Sequence, residues 1–207
     1  MFIWKRWEKA LALALLLTII ASAGEYCIGA KTQQELSQKM VRLHVLANSD
    51  SEEDQRRKLL VKDAIFARTE EILRSAENQK DAEHRLENAL PELELLAEET
   101  LRCAGKEEDV RIILANERFN TRYYDGFTLP AGQYRSLQVV IGDGAGRNWW
   151  CVVFPPLCSA TADEFVSKAA QAGLDTEEIR LIREGESCYL IRFRTLELWN
   201  RWMNFLG

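Results

Sequence analysis

Histidine is scarce in this chain, and that scarcity removes much chemistry at once. Only His44 and His84 occur among 207 residues, and neither has a second metal ligand at useful spacing. His84, with Glu83 and Glu87 beside it, reads as part of a solvated helix face. Basic charge is short as well. Lysine and arginine total 27 against 32 acidic residues, a formal net charge of −5. No field exists to release counterions from phosphates, so nucleic acid is not an expected partner. The cysteines lack an even count: there are 5, so full pairing in an oxidising compartment leaves a thiol over. No repeat or coiled-coil heptad is present on which to build a self-assembling envelope protein. Gly142-x-Gly-x-Gly146 leads into a strand-like run, and so lacks the helix N-terminus of a phosphate loop. It reads instead as a hairpin turn. No metal and no cofactor is expected.

A membrane-spanning apolar run is missing too. Lys5, Arg6 and Lys9 precede an uncharged stretch, 10–23, that falls short of the roughly 20 residues a bilayer needs. Ala21-Ser-Ala23 supplies small residues where a signal peptidase reads. Residues 1–23 are therefore expected to be a signal peptide cleaved after Ala23, or else an uncleaved anchor. Either places Gly24 onward outside the cytoplasm, because the positive flank stays inside. Glu25-Tyr26 before Cys27 argues against a lipoprotein. Membrane contact is expected through the N-terminal segment alone.

What remains has the means to fold. Apolar residues make up 47% and charged residues 29% of the chain, enough for a core and a soluble surface. Residues 24–39 read as a mobile lead, and 40–207 as a single α+β domain. Val41-Arg-Leu-His-Val-Leu46 alternates, predicting a half-buried strand with Arg42 and His44 on its polar face. Ser51 before Glu52, Glu53 and Asp54 predicts a helix start. A helix over about 51–75 and another over about 81–103, ended by Gly105 and interrupted at Pro91, form an expected helical hairpin on a sheet. Glu92 to Glu99 reads as its solvated face. Strands are expected at 110–114, 133–141 and 149–154, then a helix at 161–172, a strand at 189–193 and a final helix at 196–206 carrying Trp199 and Trp202. The expected sheet is mixed or mostly antiparallel, with about four to five strands.

Two segments carry candidate chemistry. Asn148-Trp-Trp-Cys-Val-Val-Phe-Pro-Pro-Leu-Cys158 holds 2 of the 6 tryptophans, 2 of the 5 cysteines and 2 of the 4 prolines. Adjacent tryptophans on a strand point to opposite faces, so Trp149 and Trp150 cannot share one core. Cys151 and Cys158 are close enough for a local bridge, though a reduced buried pair fits equally. Cys151 as nucleophile, His44 as base and Asp50 or Asn48 as orienter would make a secreted cysteine hydrolase acting on peptide or cell wall. A mid-strand thiol among Trp, Val and Phe is poorly placed for that role. The second segment, Phe119 to Gly132, combines aromatics and Arg122 without helical or strand period. It is either a binding surface or a packed loop.

Val41-Arg-Leu-His-Val-Leu-Ala-Asn-Ser-Asp-Ser51, running into Gln55, Lys58, Leu59, Val61, Asp63 and Ala64, resembles the opening block of stage II sporulation protein R. Thr128-Leu-Pro-Ala-Gly132, Val139-Val-Ile-Gly142 and the Asn148 to Cys158 segment resemble later blocks of that family. The resemblance covers roughly 40–160 and departs at Asn120, where a proline is expected. It implies a non-enzymatic signal exported from the forespore to the intermembrane space, or anchored in the forespore membrane facing it. There such a protein triggers a membrane-embedded aspartic protease of the mother cell, which processes an inactive sigma factor precursor. Arg122, Tyr123, Tyr124, Phe127, Trp149 and Trp150 are the expected partner-binding residues.

Overall fold

The computed structural model describes residues 2–124, 126–158 and 162–183, and within them the chain is α+β. The expected strand at 189–193, the final helix and Cys188 lie outside the described residues. Strand β1 (Val41–Leu46) is central. The remaining long strands are β2 (Val110–Phe119), β5 (Gly132–Ile141) and β6 (Asn148–Phe154), in the order β2-β5-β1-β6. β1 runs parallel to β5 and antiparallel to β6, while β2 is antiparallel to β5. The sheet is mixed, as expected.

The helical hairpin covers one face. Ser51 caps α2 (Glu52–Leu73), its side chain accepting from the Asp54 N–H, and Asn78 caps α3 (Gln79–Cys103) in the same way. Pro91 lies inside α3 without ending it. Gly105, at φ +76°, takes the left-handed conformation that closes the helix. Val61, Ile65, Leu86, Leu93 and Leu101 are fully buried against Leu43, Val45, Leu137, Val139, Cys151 and Val153. Each of the larger side chains contributes roughly 1.5–3 kcal/mol by leaving water. Glu94 turns back from the acidic face to accept from the Ile112 N–H of edge strand β2 at 2.8 Å.

The opposite face is covered as well, which the alternation of β1 did not disclose. A second core gathers Leu36 and Met40 with Phe119, Tyr134 and Val152. Onto it pack the short strands β3 (Arg122–Tyr124) and β4 (Phe127–Leu129), then α4 (Ala162–Gln171) and α5 (Thr176–Arg183). Arg42 and His44 are therefore buried rather than facing water. The expected mobile lead is also different: α1 (Phe2–Ser37) runs through 24–37, and Leu36 and Met40 are fully buried. Among the described residues, no helix is long and apolar enough to cross a membrane.

Residues 142–146 are not a hairpin turn. β5 and β6 are not neighbours, because β1 lies between them. The segment crosses the end of β1 instead, with the Asp143 N–H donating to Asn48 Oδ1 at 3.0 Å and the Ala145 and Gly146 N–H groups to the Asn48 and Ala47 carbonyls. Local turn chemistry reports that the chain bends, not which strand sits inside the bend.

Candidate functional site

The second layer places five of the six expected partner-binding residues together. In the β3–β4 hairpin, Arg122 pairs with Leu129, Tyr123 with Thr128, and Tyr124 with Phe127. The Phe119 to Gly132 segment is thus largely strand; runs of three residues are too short to show a period. Tyr123 is 62% exposed, whereas Phe127 is buried and stacks on Tyr124 with centroids 4.7 Å apart. Phe127 packs the hairpin down and offers nothing to a partner.

Trp150 joins this group and Trp149 does not. The Trp150 indole stacks on His44 at 5.4 Å, and the guanidinium carbon of Arg122 sits 3.6 Å from its centroid. Trp149 points to the helical face, packs on the first core, and has the Lys62 ammonium 5.0 Å from its centroid. The two tryptophans serve two protein layers, and each is half-buried.

Beneath the hairpin lies a residue that the sequence reading passed over. Arg42 is fully buried on β1, its guanidinium carbon 3.8 Å from the Phe119 centroid and 5.0 Å from that of Tyr134. Its Nη2 donates to Tyr124 Oη at 2.8 Å, while Nε and Nη1 have no partner among the described residues. Burial lowers the Arg42 pKa and raises that of Tyr124. The Tyr134 phenol, donating to the Pro130 carbonyl at 2.8 Å, is held far above its ordinary range by burial. Two residues along β1, His44 Nδ1 lies 2.7 Å from Glu117 Oε1, a close approach without hydrogen-bond alignment. The one sign available in the sequence was the alternation itself, which put Arg42 and His44 on one face.

The hydrolase trio is not assembled. Cys151 is bonded to Cys158, with their Cα atoms 6.3 Å apart, and belongs to the helical-face core. His44 lies on the other face of the sheet, stacked on Trp150. Asn48 holds the crossover, and Asp50 Oδ1 accepts from the Arg147 N–H at 2.7 Å. Neither orients His44. Of the two states open to the cysteine pair, the bridged one is present. Among the described residues, no three His, Cys, Asp or Glu side chains are grouped to hold a metal ion.

The family described as stage II sporulation protein R matches residues 37–164, from the end of α1 into the start of α4. The chain belongs to the stage II sporulation protein R family. Stage II sporulation protein R of Bacillus subtilis (strain 168) is 35% identical to it over 118 residues, 57% of this chain and 53% of the relative. The alignment thus spans about half the length of the relative. No solved structure matches the chain. Arg42, the hairpin and both tryptophans all fall within the span matched by the stage II sporulation protein R family, whereas α5 falls outside it.

Proposed function

We propose that this protein is an exported sporulation signal that switches on a membrane-embedded aspartic protease, which then processes an inactive mother-cell sigma factor precursor. Family membership carries this reading. In it the protein is a ligand and not an enzyme, and it acts in the space between forespore and mother cell. Residues 1–23 serve as its export signal or anchor. A ligand shifts its target only as far as it binds the active state better than the inactive one. The surface offered for that discrimination is the β3–β4 hairpin, where Tyr123 is exposed beside Arg122 and Trp150.

Co-expression with the protease and the sigma precursor, with processing as readout, tests the reading. Wild-type protein should trigger processing. Tyr123→Ala, which removes an exposed ring and little packing, should reduce it with the fold intact, and Tyr123→Ala combined with Trp150→Ala should reduce it further. Full processing by the folded double variant would sink this surface. No processing with wild-type protein would sink the function.

A further inference from the structure

Arg42 is the residue whose presence packing alone explains least. A leucine or methionine would fill the space between Phe119 and Tyr134, whereas a buried cation without a counter-charge, as Arg42 is among the described residues, destabilises the fold. The groups that act on Arg42 electrostatically are Tyr124, Tyr134 and Arg122, with no carboxylate among them. Ser136, its register partner on β5, is fully buried, and among the described residues its hydroxyl and Arg122 Nε have no partner. Unsatisfied donors therefore cluster on one patch of the sheet, under a hairpin whose strands form a separate two-stranded sheet.

We infer that Arg42, with Ser136 and Arg122, forms a carboxylate-binding site, closed in the free protein by the Tyr124 phenol, that receives an exposed Asp or Glu side chain of the partner. The stereochemistry of the guanidinium supports this. Nε–H and Nη2–H point the same way and form one side of its planar fork, the pair a carboxylate bridges with two parallel hydrogen bonds. Here Nε is unpartnered and Nη2 is held by a neutral phenol. A carboxylate replacing Tyr124 would satisfy both. The rim is reachable: Arg122 and Tyr124 are half-buried, and Tyr123 between them is exposed. The net charge of −5 opposes an acidic partner at long range. At a Debye length of about 8 Å in physiological salt, the local arginines decide at contact. Glu117, an acid on this face, lies against His44 through Oε1 and keeps its Oε2 buried without a partner among the described residues, but it is not among the groups that act on Arg42.

This site deepens the proposed function and rests on its reading that the hairpin meets a partner, so its test has an arm that does not use processing. The full chain is titrated with a short peptide carrying one Glu among neutral residues, with the same peptide carrying Gln, and with sodium sulfate. Binding is read by calorimetry. The Glu peptide should bind and the Gln peptide should not. Arg42→Met should remain folded, melt no lower than wild type because an unpaired charge is gone, and lose Glu-peptide binding and processing by at least about tenfold. Tyr124→Phe, which removes only the competing hydroxyl, should tighten Glu-peptide binding. Equal binding of Glu and Gln peptides, a folded Arg42→Met with wild-type binding and processing, or Tyr124→Phe without effect would overturn the site. Sulfate binding as tightly as the Glu peptide would overturn the assignment to a partner side chain. Should Arg42→Met fail to fold, the Tyr124→Phe titration decides. Should wild-type protein trigger no processing, the proposed function falls and the peptide arm alone judges the site.

Discussion

The Arg122 guanidinium lies 3.6 Å above the Trp150 indole, so the β3–β4 hairpin is clasped to edge strand β6 by a cation over an aromatic face. His44 stacks against the same indole. The clasp is half-buried, where such contacts contribute about 0.5–2 kcal/mol.

A double-mutant cycle of Arg122→Ala and Trp150→Ala should therefore show a coupling of about 0.5–2 kcal/mol in denaturant unfolding. Trp150→Ala alone should cost more, because it also uncovers His44 and part of the second core. Zero coupling would mean that Phe127 and Leu129 hold the hairpin without the clasp.

The Cys151–Cys158 bridge closes a short loop, with a sequence separation of 7. Reduction, or Cys158→Ser, should lower stability by about 2–3 kcal/mol. Cys158 Sγ also accepts from the Val152 N–H of β6, so amide exchange at Val152 should quicken in the variant. Native protein should resist iodoacetamide at Cys151. Labelling there without prior reduction would revive the nucleophile reading.

Asp54 is buried at the start of α2, accepting from Ser49 Oγ at 2.6 Å, Asn48 Nδ2 at 3.1 Å and Arg57 Nη1 at 3.1 Å. These bonds, that from Ser49 foremost, hold its pKa below the ordinary carboxylate value. A folded pKa below the unfolded one makes its stabilisation complete above the unfolded value. That stabilisation is lost as pH falls through the folded value, that is, below about pH 4. Asp54→Asn should cost about 1–3 kcal/mol at neutral pH. It should also flatten the acid limb of a stability–pH curve; an unchanged limb would assign that limb to other carboxylates.

Gly146 lies where the crossover touches the Ala47 to Ser49 turn, and a methyl group there would collide with the Ser49 carbonyl. Backbone cannot step aside as a side chain can. Gly146→Ala should destabilise by about 1–3 kcal/mol in thermal or denaturant unfolding. Gly105→Ala, with open space around it but a left-handed φ of +76°, should cost about 1 kcal/mol.

The helical hairpin was legible because its signals are local: a serine cap, an acidic first turn, apolar spacing of three and four, and a closing glycine. The faces of β1 were legible as faces. What covered the Arg42 face was not, since its cover comes from α1, β3, β4, α4 and α5, elements distant in the chain and partly too short to show a period. The hairpin reading of 142–146 failed for a related reason: β1, inserted between β5 and β6, is separated from both in the chain by α2, α3 and β2. Of the residues expected to meet a partner, Arg122, Tyr123, Tyr124 and Trp150 lie together on the second layer, Phe127 is packed beneath them, and Trp149 serves the other layer. Arg42 was missed because an alternating strand assigns its polar positions to water by default.

That β1 is central and first has a consequence for synthesis. Leu43 must find Leu137 on one side and Cys151 on the other. A chain made from its N-terminus can fold α2 and α3 early, but its middle strand stays unpaired until β5 has emerged and gains its second neighbour only with Phe154. Late, non-local closure of this kind slows folding. In the exported protein proposed above, such slowness would keep the chain extended enough to thread a narrow pore.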